Sequence, residues 1–247
     1  MNKFIIIFFA IVASKPSFAN ESQKCVDSIV KLMKNDAFNS NNGEHHKDEL
    51  KAYSCKKTSD SAYTIASYLQ LSEKDKKYDL YHWRVLLIKD EQRIESSYSG
   101  FIEEETEIAV GDDPILLDTH DYYLDDNVKA FGVILNVGYA APCSTGGRNQ
   151  YFNLFVQNQN NMNRVLIDYP MQDWFILKGN ACYEDQRVIK QIVNSSVEVQ
   201  ETKTNGFYDL LVKRREIIEN ERDEVLDEQL KVIHRNKLLK FDGHFYR

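Results

Sequence analysis

Residues 129–140 constrain this chain most. Large side chains fall there on alternate positions, Phe131, Val133, Leu135, Val137 and Tyr139, with Ala130, Gly132, Gly138 and Ala140 between them. A period of two marks a β-strand, and here one face is bulky and the other small. Small residues on a strand face point to the close approach of another backbone, a barrel corner or a ligand.

Similar patterns predict strands at about 63–71, 81–87, 93–101, 115–124, 150–156, 164–169, 174–177 and 206–212. Short strands at this spacing predict a mainly β fold, an antiparallel sheet, sandwich or barrel, rather than βαβ units. Ahead of them, Ser22 is placed to cap a helix carrying Cys25, Val26, Ile29, Val30, Leu32 and Met33 at helical spacing and ending near Asn35. A second short helix is expected around 50–55. The expected organisation is therefore a small helical N-terminal arm over 20–61 and an antiparallel β domain over 62–247. Residues 186–201 suit helix or strand, and 213–228 suit a short exposed helix or a long hairpin arm. Asp242-Gly243 between two apolar runs is the strongest hairpin signal.

Residues 1–19 combine an early Lys3, an apolar run over 4–13 and small residues at Ser17 and Ala19. That is the pattern of a cleaved secretory signal, and its apolar run is too short to span a bilayer. Cleavage after Ala19 removes two lysines and no acid, moving the net charge from −7 to −9. An acidic surface repels phosphate backbones, which argues against nucleic-acid binding. Cys25 is too far from the new N-terminus to carry a lipid, so no stable membrane anchor is expected. Four cysteines in an exported chain predict two disulfides. Of three connectivities, Cys25 with Cys55 and Cys143 with Cys182 each close a local loop and are expected. No CxxC or HxxxH spacing supports a metal site, and His45 and His46 lie in a polar loop. The expected location is periplasmic or secreted.

Residues 117–138, the CSTGG turn with FNLFV after it, and the closing GFYDLLV and LLKFDGHFYR resemble a group of uncharacterised exported proteins of Gram-negative bacteria. The closing part also resembles a degenerate propeller-type repeat. Thr202, Lys203, Thr204 and Asn205 stand where such repeats carry an aspartate-rich calcium loop, so the resemblance implies no calcium site here.

Charge placement is the main functional lead. Between Arg93 and Lys129 there is no Lys or Arg, while eleven carboxylates fall there. Among these, Glu103, Glu104, Glu105, Asp112, Asp113, Asp125 and Asp126 are expected to form a face that steers a cationic envelope protein, unless they are simply a solvated, salt-screened surface. Asp112, Asp113, Asp125 and Asp126 are also the best calcium candidates, although no recognised loop contains them. Gly146, Gly147 and Arg148 suggest a hairpin loop tied down by Cys143, or less directly an anion cradle. The aromatics Tyr122, Tyr123, Tyr139, Tyr151 and Phe152 suit packing, or a glycan or peptide surface.

Hydrolysis needs a nucleophile, base and orienting acid within reach. Ser144 or Ser196 with His120 and Asp121 supplies the residue types, but adjacent strand residues point to opposite faces, and no GxSxG is present. His82, His234 and His244 read as ordinary strand histidines. The expected function is thus a non-enzymatic binding protein, an inhibitor or immunity-type factor, with no cofactor. The alternatives are an envelope hydrolase assembled from distant residues and a structural or assembly accessory.

Overall fold

A computed structural model describes residues 18–33, 50–59, 61–90, 92–105, 108–118, 120–139, 143–180, 182–183, 188–220 and 232–247. The expectations for the signal segment and for His45 and His46 lie outside them.

Among the described residues, one helix, α1 (Phe18–Met33), precedes twelve strands. The first five are β1 (Leu50–Lys57), β2 (Tyr63–Lys74), β3 (Tyr78–Lys89), β4 (Arg93–Glu105) and β5 (Ile108–Leu117). The short β6 (Tyr122–Asp125), β7 (Val128–Tyr139), β8 (Gly146–Asn158) and the long β9 (Asn161–Lys178) follow. The chain closes with β10 (Ile189–Thr204), β11 (Phe207–Asn220) and β12 (Val232–Leu239). The mainly β, barrel-like class read from the sequence is what the chain adopts.

All twelve strands belong to one sheet, which divides at β9. One edge of β9 pairs along its length with β8, which continues through β7 to β5 and β6. The other edge touches β4 at its start and pairs with β10 near its end. The β4–β9 seam has a single parallel bridge, Ser97 with Asn161, instead of a ladder. Side chains seal it: Trp83 meets Tyr98 and Phe155 edge-on at centroid distances of 5.2 and 5.8 Å, and the Arg164 guanidinium lies 5.0 Å from the Tyr98 centroid.

Three apolar clusters account for the layering. Ile65, Leu69, Trp83, Val85 and Leu87 face Val133, Leu135, Val137 and Phe155 across the interior of the nearly closed barrel. The reverse side of β7–β9 buries Ala130, Phe152, Leu154 and Val165 against Leu210, Val212 and Leu239 of the C-terminal strands. The central strands are therefore covered on both faces, which is why β8 runs without a break through buried Phe152, Leu154, Phe155 and Val156. Outside β2 and β3, α1 buries Ile29, Leu32 and Met33 against Ala66, Tyr68, Leu86 and Ile88.

The small face of β7 has a specific cause. A Cβ on Gly132 would lie 2.3 Å from the Phe152 ring, so the aromatic side chain of the neighbouring strand occupies that space. At Gly132 the close neighbour is that side chain, whereas at Gly138 the backbone of Arg148 and Asn149 comes within 3.3–3.4 Å of the same position.

Several expectations need correction. Residues 50–55 are strand, not helix, because β1 forms a ladder with β2 and turns Tyr53 and Cys55 toward α1. The expected 61/62 boundary falls in the β1–β2 turn. Ser22 lies inside α1, which begins at Phe18. The strand expected over 115–124 is two, β5 and β6, separated by a loop at Asp118. Residues 164–177 form one strand, and residues 189–220 form a hairpin with Asn205-Gly206 at its turn; the segment from 221 to 228 lies outside the described residues. At the C-terminus, Asp242 and Phe245 flank a Gly243-His244 loop, closed by Asp242 N–H donating to Phe245 O at 2.9 Å. Only Gly243 has positive φ, at the first central position that a II′ turn reserves for glycine, one residue later than the sequence suggested.

Both expected disulfides are present, Cys25–Cys55 and Cys143–Cys182, with Cα separations of 5.7 and 5.1 Å. The first ties α1 to β1. Two disulfides suit an oxidising compartment, and no helix among the described residues is long and apolar enough to cross a membrane.

Candidate functional site

The edges β1 and β5 meet where the barrel nearly closes, and polar groups bridge them at both ends. At one end, Glu104 accepts from the Tyr81 hydroxyl at 2.8 Å and from the Val110 N–H at 3.0 Å, and pairs with Lys51 at 3.6 Å. Strand alternation explains this: Glu104 turns inward while Glu103 and Glu105 point out and are exposed. Burial first, then the Glu104 bond, pushes the Tyr81 hydroxyl well above the ordinary phenol range.

The expected acidic face is divided. Glu103, Glu105, Asp112 and Asp113 are exposed and form no ion pair among the described residues. Asp112 lies two residues beyond Val110, about 7 Å along the strand. Asp125 and Asp126 sit at the β6–β7 turn, near the opposite end of β7, roughly 30 Å away at strand rise. There Lys203 pairs with Asp125 at 2.5 Å, and the Tyr208 hydroxyl donates to Asp126 at 3.1 Å. The four calcium candidates are accordingly not brought together, and no cluster of three or more metal-ligating side chains occurs among the described residues.

At that second end lies a cavity of about 260 Å³, between the β1–β2 turn, the loop before β6 and the start of β7. Its floor is Tyr63, Ile65, Leu87 and Phe131, and its rim includes Lys56, Lys57, Ser59, His120 and Lys129. Lys56 Nζ donates to the Asp118 carbonyl at 3.1 Å, and Lys129 Nζ reaches Ser59 Oγ at 2.6 Å and Asp121 at 3.0 Å. Asp118 holds the loop together. It accepts from the Tyr122 hydroxyl at 2.6 Å and from the His120 N–H at 3.0 Å, with His120 Nδ1 at 2.7 Å. Burial alone would raise the Asp118 carboxyl, but the bonds from Tyr122 and His120 outweigh it and hold the group below the usual carboxylate range. The acceptor is thus a carboxylate, so Nδ1 carries the imidazole proton and Nε2 is left as the outward nitrogen.

His120 is therefore oriented by Asp118, two residues back, and not by Asp121. Among the described residues no hydroxyl bonds its Nε2. Ser144 Oγ instead donates to the Gly146 carbonyl, and Ser196 lies within β10, in keeping with the sequence argument against a grouping of these serines with His120 and Asp121. Gly146 and Gly147 are also not a flexible loop. They begin β8, with the Trp174 indole lying over Gly147, and Arg148 pairs with Asp173 at 3.3 Å. His82 stacks on Phe101 at 5.1 Å and bonds Ser99. Tyr122 and Phe152 are buried packing residues, whereas Tyr123 is half exposed.

Of the cavity residues, His120 and Asp121 were singled out in the sequence, whereas Lys56, Lys57 and Ser59 escaped it because KKTS at 56–59 resembles any polar strand end. Only the fold carries Lys129 and His120 beside it. No family model, curated protein or solved structure matches this chain.

Proposed function

We propose that this is a non-enzymatic binding protein of the cell envelope whose β4–β5 end receives a cationic protein. The observation that carries the reading is the set of four exposed carboxylates, Glu103, Glu105, Asp112 and Asp113, with no ion pair to them among the described residues. Exposed Phe101 and Ile108, 63% and 38% accessible, lie on the same two strands and supply apolar contact area. Unpaired carboxylates keep their field for an incoming partner, speeding its association and fixing its orientation. An inhibitor or immunity-type role follows from such a surface. The test is retention of basic periplasmic proteins on the immobilised chain at low salt. Charge reversal at the four positions abolishes retention if the reading holds, and unchanged retention refutes it.

A further inference from the structure

Two sheet ends of this molecule are covered: β1 meets β5 where the barrel nearly closes, and β6 lies against β10 and β11. The last strand is different. β12 pairs with β11 from Val232 to Leu239, and no described strand pairs with its other edge. Along that edge every second residue turns its backbone N–H and C=O to solvent. The side chains are exposed from His234 to Leu238. Alternation places Ile233, Arg235 and Lys237 on one face and Val232, His234, Asn236 and Leu238 on the other.

The charge of this edge is opposite to that of the chain. β12 contains no carboxylate, in a protein of net charge −7. Of the cations here, Arg235 is engaged by Glu216 at 2.9 Å. Lys237, the adjoining Lys240, and Arg215, directly across from His234 on β11, are exposed and form no ion pair among the described residues.

We propose that the free edge of β12 accepts an extended acidic segment of a partner protein as a further strand. The added strand gives the open N–H and C=O groups their hydrogen bonds, and its alternate side chains supply selectivity. Lysine on an edge is a common guard against neutral strands. Here the cations act against a second copy as well. Two-fold pairing about residues 235 to 237 sets Arg235 and Lys237 against each other or against their own copies, and like charges directly opposite are destabilising. A segment alternating carboxylate and apolar residues suits both faces, its carboxylates beside Lys237 and its apolar side chains beside Val232 and Leu238. The inference rests on other strands than the acidic β4–β5 end and is tested apart from it.

The experiment follows hydrogen exchange amide by amide in the full chain at low salt. The probes are a peptide the length of β12 alternating glutamate and valine, and the same peptide with lysine for glutamate. The glutamate peptide should slow exchange at alternate residues of β12 saturably and by at least tenfold, and the lysine peptide should leave it unchanged. Lys237→Glu should weaken the glutamate peptide at least tenfold while the remaining amide spectrum stays that of the folded protein. Unchanged exchange in β12, equal protection by the lysine peptide, or undiminished binding by the Lys237→Glu chain overturns the inference. So does protection of β12 that rises with the concentration of the chain alone, which would make the occupant a second copy.

Discussion

The Tyr122 hydroxyl donates to Asp118 Oδ2 at 2.6 Å, at the point where the chain leaves β5 and starts β6. Tyr122 is also buried, its ring 5.6 Å from that of Phe152. One residue thus belongs to the core on its ring side and to the polar rim on its oxygen side.

Removing that oxygen gives the first prediction. Tyr122→Phe keeps the ring and deletes a hydrogen bond to a charged acceptor, a class worth about 1.5–3 kcal/mol. Chemical denaturation should show a loss of that size. A change below about 0.5 kcal/mol would remove Asp118 from its assigned role.

The same bond has a pH consequence. Burial first, then the Asp118 bond and charge, raises the Tyr122 phenol far above its ordinary value, and burial also raises Tyr81 and Tyr246. A folded-state pKa above the unfolded one means that the unfolded chain releases these protons first. Stability from these groups is fully present below about pH 10 and declines as pH rises beyond it. Tyrosinate absorbance should rise with the unfolding transition for these residues, not before it.

Gly132 supplies a packing prediction. With Phe152 already where a Cβ would go, Gly132→Ala should destabilise the chain by about 1–3 kcal/mol through overpacking. Combining it with Phe152→Leu should recover part of that loss, as read by a double-mutant cycle in thermal melts.

Releasing α1 is a further check. The Cys25–Cys55 crosslink spans 30 residues, and replacing both cysteines by alanine should cost roughly 3–4 kcal/mol on the chain-entropy account. Hydrogen exchange should then rise first in α1, because few other elements hold it.

How far the sequence reached can be argued from particular residues. Period-two alternation located β2 to β9 and β11 in part, though not β1, β10 or β12, and loop length selected the correct cysteine pairs. Residues 50–57 misled because Tyr53 and Cys55 face α1 while Ala52 faces the barrel interior, so both faces of β1 are partly apolar and the alternation blurs. The acidic run looked continuous because sequence distance hides strand direction. Turning Glu104 inward and carrying Asp125 to the far end of β7 follow from pairing, which one strand alone does not reveal. The cavity was invisible for the same reason, since Ser59 and Lys129 are 70 residues apart.

The most direct test of the central claim compares two charge-reversed chains on a low-salt periplasmic extract. One carries lysines at Glu103, Glu105, Asp112 and Asp113, and the other carries them at Asp125 and Asp126, where Lys203 and Tyr208 already engage the carboxylates. The binding account predicts that a basic protein retained by the unmodified chain is lost from the first variant and kept by the second. Equal retention by the unmodified chain and the first variant would contradict it.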